Sequence, residues 1–88
     1  MDMPVTFLAD FAFINNSHIT SLDMIPESIS TFGGYALSNC SSITTLEIPD
    51  HVNDLYTGCF HDCTSLRSIS LPANLSLEDY MFSGCNNL

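Results

Sequence analysis

The chain has 88 residues and a mass of 9.7 kDa, is 45% hydrophobic, and sets ten Asp/Glu against one basic residue, Arg67. A chain of this size is one small domain that buries about 60–65% of its unfolded surface, too little for a deep catalytic cavity. A net charge of −9 argues against nucleic acid, whose phosphates need Lys/Arg to displace counterions, and against an anionic membrane surface. The apolar content is too high for a disordered acidic tail. No apolar run approaches the ~20 residues of a membrane span. The opening MDMPVTFLAD lacks the positive region and cleavage site of a signal peptide.

Three residue types recur with one period. The prolines stand at Pro4, Pro26, Pro49 and Pro72, with spacings of 22, 23 and 23. Cys40, Cys63 and Cys85 are 23 and 22 apart, and Phe13, Leu37, Phe60 and Phe82 are 24, 23 and 22 apart. Three anchors in register are the signature of internal repetition. The 1–88 chain therefore reads as a single array of about 23-residue repeats. A partial repeat at 1–10 comes first. The repeat at 11–34, FAFINNSHITSLDMIPESISTFGG, follows with one extra residue near Asp23–Met24–Ile25. The repeat at 35–58 reads YALSNCSSITTLEIPDHVNDLYTG, and the one at 59–79 reads CFHDCTSLRSISLPANLSLED. A partial repeat, YMFSGCNNL, ends the chain at 80–88. It stops at the first residue of a fourth strand segment and shows no polar cap, so a fragment of a longer array is one expectation.

Each repeat follows C-x-x-[L/I]-x-x-[L/I]-x-[I/L]-P and then a looser apolar segment. Ile43, Leu46 and Ile48 fill the pattern in one repeat, and Leu66, Ile69 and Leu71 in the next. Leu46-Glu47-Ile48 and Ile69-Ser70-Leu71 alternate apolar with polar and are bounded by proline, which predicts short strands. Segments such as GYALSNC (34–40) and YMFSGC (80–85) predict single helical or 3₁₀ turns. A strand of about five residues cannot bury its apolar face alone, but stacked copies can. Parallel strands ~4.8 Å apart would line one face of a solenoid. Phe13, Leu37, Phe60 and Phe82 would form one interior ladder, and Ile19, Ile43, Leu66 and Leu88 another.

The units NCSSITTLEIPDHVNDLYTGCF (39–60) and DCTSLRSISLPANLSLEDYMF (62–82) resemble the BspA-type leucine-rich repeat. Its pattern is close to C-x-x-L-x-x-I-x-I-P-x-x-V-x-x-I-G-x-x-A-F, and the likeness runs over residues 4–88. The first full repeat departs from it, with Asn or Ser in place of Cys, and Leu37 replaces the usual Phe. The resemblance implies an α/β solenoid with short parallel strands on the concave face and short helical or 3₁₀ turns on the convex side. It also implies a role like that of surface proteins and antigens of bacteria and anaerobic protists, in adhesion and protein binding without catalysis. A cell-surface or secreted location comes from this resemblance alone.

The residues that invite a chemical reading are mostly explained by the repeat. Cys40, Cys63 and Cys85 read as a ladder of small buried thiols, because in-register Cβ vectors run parallel and do not converge on a disulfide. Cys59 stands where Ala36 and Met81 do and reads as another small core residue. In Cys59-Phe60-His61-Asp62-Cys63 the spacing is not of the paired zinc type, and His61 falls where Ser38 and Ser83 stand, an expected exposed turn position. His18, His51 and His61 occupy different repeat positions, so a nucleophile–base pair has no support. No metal or cofactor is expected. The matches to N-x-[S/T] at Asn15, Asn39 and Asn74 read as turn asparagines.

The strand face carries the functional expectation. Ser21 and Asp23, Thr45 and Glu47, and Ser68 and Ser70 should point outward, flanked by Thr20, Thr44 and Arg67. This face is hydroxyl-rich and slightly acidic, and holds no exposed aromatic anchor of the kind that makes hot spots. The expected function is a non-enzymatic interaction module presenting this face to a protein partner. One alternative is a structural segment that self-associates through uncapped repeat ends. A small hydrolase is a second alternative, and the scatter of polar candidates speaks against it.

Overall fold

The computed structural model describes residues 6–73, 75 and 77–88. Among the described residues five short strands form: β1 (Phe7–Leu8), β2 (Thr31–Phe32), β3 (Thr45–Glu47), β4 (Asp54–Leu55) and β5 (Ser68–Ser70). All pairing is parallel. β1, β2 and β4 make one sheet in that order, and β3 pairs with β5 in a second. The registers Thr31↔Asp54 and Thr45↔Ser68 join residues one sequence period apart, so successive repeats lie side by side. In β3, Leu46 is buried between exposed Thr45 and Glu47, as period-2 alternation demands.

A third ladder joins the turns. The N–H groups of Phe11, Phe13 and Asn15 donate to the carbonyls of Gly34, Ala36 and Ser38 at 2.8–3.0 Å. Those of Tyr35, Leu37 and Asn39 donate to Thr57, Cys59 and His61 at 2.7–3.0 Å. The intervening N–H groups close tight turns, as in Ala36 to Gly33 and Ser38 to Tyr35. This alternation needs two left-handed residues per turn. They are Phe11 and Asn15, Tyr35 and Asn39, Gly58 and Asp62, and Tyr80 and Gly84. Asn, Asp and Gly suit the second position because they tolerate positive φ best. The segments expected to be single helical or 3₁₀ turns are thus hydrogen-bonded turns closed between residues three apart. Among the described residues there is no α-helix, so the α part of the expected α/β class is corrected to turns.

The one helical element among the described residues is a 3₁₀ turn at Leu22–Met24. It stands where the first repeat was expected to supply a strand through Ser21 and Asp23. The extra residue explains the change. Leu46 and Ile48 reach the core two residues apart, but Leu22 and Ile25, also buried, are three apart. A 3₁₀ turn has three residues per turn and brings positions i and i+3 to one side. Met24 is expelled, 57% exposed, and its Sδ lies 3.5 Å from the Thr20 N–H.

The β1–β2–β4 sheet was expected only as a looser apolar segment. Leu8, Phe32 and Leu55 form its buried row. It does not continue into the next repeat, where Leu77 and Glu78 are exposed. There the inward position falls to Glu78, and burying an unpaired carboxylate costs more than the strand pairing returns.

Leu37, Phe60, Ile43, Leu46, Leu55, Leu66, Cys40, Cys59 and Cys63 are fully buried. Phe13 and Phe82 pack against them, and the Phe60 and Phe82 rings stack at 6.0 Å. In the second expected ladder Ile19, Ile43 and Leu66 are interior, whereas Leu88 is 49% exposed because no further rung covers it in this structure. The shared exposed position expected of Ser38, His61 and Ser83 also fails. Ser38 is buried with its hydroxyl donating to the His61 carbonyl at 3.0 Å, His61 is half-buried, and only Ser83 is exposed.

Candidate functional site

The strand face is built from the inside outward. Buried Leu46 and half-buried Ile69 pair across β3 and β5, and full burial of a side chain such as Leu46 contributes about 1.5–3 kcal/mol. Alternation then turns Thr45, Glu47, Ser68 and Ser70 outward, all exposed. The Ser68 hydroxyl lies 3.5 Å from that of Thr45. Thr44 and Arg67 precede the strands, both exposed, and the Arg67 N–H donates to the Thr44 carbonyl at 2.8 Å.

The first repeat joins this face without a strand. Thr20, Ser21, Leu22 and Asp23 line a shallow groove of about 240 Å³ with Thr44, Thr45 and Glu47. A second depression of about 510 Å³ shares Asp23 and Glu47 and adds Ile48, Pro49, Asp50 and Ser70. Six of the nine expected residues thus meet in the first groove: Thr20, Ser21, Asp23, Thr44, Thr45 and Glu47. Arg67, Ser68 and Ser70 belong to the neighbouring rung. The face carries two paired strands and a 3₁₀ turn in place of the three strands expected. Its chemistry is hydroxyls and carboxylates at one end and a guanidinium at the other, suited to hydrogen bonding and ion pairing with an extended segment.

The thiols lie in the core. All four cysteines are free and buried. The Sγ atoms of Cys40, Cys63 and Cys85 donate to the carbonyls of Phe13, Leu37 and Phe60, each in the preceding repeat, at 3.4, 3.3 and 3.2 Å. Burial raises the pKa of all four, and that of Cys63 reaches about 12. Such thiols are poor nucleophiles and poor metal ligands, because both roles need the thiolate. Asn16 stands at the cysteine position of the first full repeat. Its Oδ1 accepts from the His18 and Ile19 N–H groups at 2.7 and 3.1 Å, an Asx turn that caps its own backbone.

Of the asparagines in the N-x-[S/T] matches, Asn39 donates from Nδ2 to Asn15 Oδ1 at 2.7 Å, and Asn74 lies outside the described residues. His51 lines a separate depression with Asp23, Glu27 and Pro49. Sequence reasoning missed a row of aromatic residues on the turns, at Phe11, Tyr35 and Tyr80. It shares the common period, but Gly58 interrupts the row and hid the signal.

Parallel rungs one period apart, a buried Cys–Phe–Leu core and proline-bounded strands define a leucine-rich-repeat protein. The chain belongs to the BspA-type leucine-rich repeat family, whose repeat-region model matches residues 1–88 in 6 copies. No curated protein and no solved structure matches the chain. Repeats of this family serve in general as protein-interaction modules and are typically non-enzymatic. No helix among the described residues is long and apolar enough to cross a membrane.

Proposed function

We propose that the chain is a non-enzymatic adhesion or protein-binding module whose stacked repeats form a solenoid and whose strand face, on the concave side, receives a protein partner. The residues that meet the partner are Thr20, Ser21, Asp23, Thr44, Thr45, Glu47, Arg67, Ser68 and Ser70. The observation that carries this reading is the groove shared by the 3₁₀ turn and β3, where Thr20, Asp23, Thr44, Thr45 and Glu47 stand exposed, and Ser21 half-buried, on a backbone held by buried Leu22 and Leu46. Short side chains lose little rotamer entropy on binding, and a fixed backbone presents them preorganised. Three rungs give a small surface, so a weak contact multiplied along an array suits it better than a tight single one.

The test uses binders selected by peptide display against the whole chain. Thr45→Lys with Ser68→Lys should weaken their binding about tenfold, equivalent to ~1.4 kcal/mol. Ser28→Lys with Ser41→Lys adds the same charge at exposed positions away from the groove and should leave it unchanged. Equal loss in both pairs, or none in either, rejects the strand face as the binding surface.

A further inference from the structure

The turns carry an aromatic row that the strand face does not use. Phe11, Tyr35 and Tyr80 occupy one turn position, which Gly58 fills in the remaining turn. All four have positive φ, at 61°, 56°, 61° and 65°. Bulky side chains are genuine outliers in this region, and glycine is the residue it favours. Gly58 shows that the turn forms without a ring, so the fold alone does not require aromatics there. Burial does not explain Phe11 and Tyr80 either, which are 55% and 64% exposed, whereas Tyr35 is half-buried. Strained backbone of this kind is held by the surrounding structure and clusters at functional sites.

The rings are organised. Phe11 and Tyr35 stack at 5.6 Å with planes 7° apart. Tyr35 also covers Gly58, where an added Cβ would collide with its ring, and meets His61 edge-on at 5.7 Å. A second pair, Phe7 and Tyr56, meets edge-on at 6.3 Å beside the β1–β2–β4 sheet, each nearly half exposed. Carboxylates stand next to these rings in the chain: Asp10 before Phe11, Asp54 two residues before Tyr56, and Glu78 and Asp79 before Tyr80. The only basic side chain of the molecule, Arg67, lies beside β5 on the strand face.

We propose that this aromatic edge is a docking surface for an arginine-bearing extended segment of a partner protein, distinct from the strand-face contact. The face of an aromatic ring is electron-rich and attracts a cation, and a guanidinium can also stack flat upon it. Asp54, Glu78 and Asp79 are exposed and add negative charge to this part of the chain, whereas the Asp10 carboxylate is engaged by the Gly34 N–H at 2.8 Å. Charge argues against a second copy as the occupant, since each chain carries −9 and a single Arg.

The test is calorimetric titration of the whole chain, at physiological salt, with a synthetic peptide of alternating Arg and Gly. A peptide with Lys for Arg is the comparison. Phe11→Ala with Tyr80→Ala removes two exposed rings and leaves the net charge untouched. The arginine peptide should bind more tightly than the lysine peptide, and the double variant should bind it about tenfold more weakly. Tyr80→Leu alone, at the most exposed of the rings, should weaken it about threefold and serves where the double variant loses its native circular dichroism. Equal affinity in the wild type and these variants would mean general charge attraction and overturn the proposal. So would a failure of the arginine peptide to bind, or self-association that depends on the same rings.

Discussion

Cys40, Cys63 and Cys85 put a small, weakly polar donor against a carbonyl of the preceding repeat. A thiol fits because it desolvates cheaply and still donates. Burial raises all four thiol pKa values, that of Cys63 from an ordinary 9.0 to about 12. In the unfolded chain the same thiols ionise near their ordinary value. Above that value the unfolded state binds fewer protons than the folded one, so stability falls as pH rises. The contribution is intact below about pH 9 and is lost progressively toward pH 12, at up to ~1.4 kcal/mol per pH unit for each thiol that stays protonated in the fold. Denaturant midpoints taken from pH 8 to 11 should decline above pH 9, and less steeply in Cys63→Ala. A midpoint flat across that range would contradict the buried-thiol account. The cysteine ladder itself was legible in the sequence, because identical residues at one spacing stack in register. The hydrogen bonds that explain the choice of cysteine were not, since they depend on which carbonyl the fold leaves beside each thiol.

The 3₁₀ turn at Leu22–Met24 is the price of one inserted residue. Deleting Met24 makes the first repeat read Leu22-Asp23-Ile25 in sequence, the same alternation as Leu46-Glu47-Ile48. The deletion should convert the turn to a strand paired with β3 and raise stability by about 1–2 kcal/mol through the added backbone hydrogen bonds. Nuclear Overhauser contacts between residues 21–23 and Thr45–Glu47, with a higher Tm, would show it. A lower Tm and no such contacts would mean that the 3₁₀ turn has a basis other than the insertion. The insertion was visible in the sequence, but its consequence was not, because periodicity shows where a residue is extra and not how the backbone absorbs it. β3 and β5 were legible, as three alternating residues before a proline give a period to read. β1, β2 and β4 were not, because two-residue strands contain no period. The aromatic row escaped for a related reason: Gly58 breaks the recurrence of Phe11, Tyr35 and Tyr80 at the position between them.

At the scale of the molecule, stability is a sum over neighbouring rungs, because each repeat is too short to bury its own apolar residues. The rungs are joined by the β1–β2–β4 pairing, the β3–β5 pairing and the turn ladder. Side chains add to this where Ser42 donates to the Ser17 carbonyl and Asn87 to that of Thr64, both at 2.6 Å. The resulting body measures 43 × 27 × 20 Å and holds the strand face and the aromatic edge on different segments of each repeat. The repeat period and the family were legible from Pro, Cys and Phe spacings. The relative weight of the three ladders was not, because turn hydrogen bonds leave no compositional mark. The turn ladder also separates this fold most sharply from a string of independent turns, in which the same amides would face water. Residue-resolved hydrogen exchange of the native chain tests it directly. The amides of Phe13, Leu37, Asn39 and Asp62, each donating to the next repeat at 2.7–2.9 Å, should be protected to the same degree as those of β3 and β5 although they lie in turns. Exchange of these amides at the rate of an unstructured peptide would contradict the stacking of the repeats, and with it both binding surfaces.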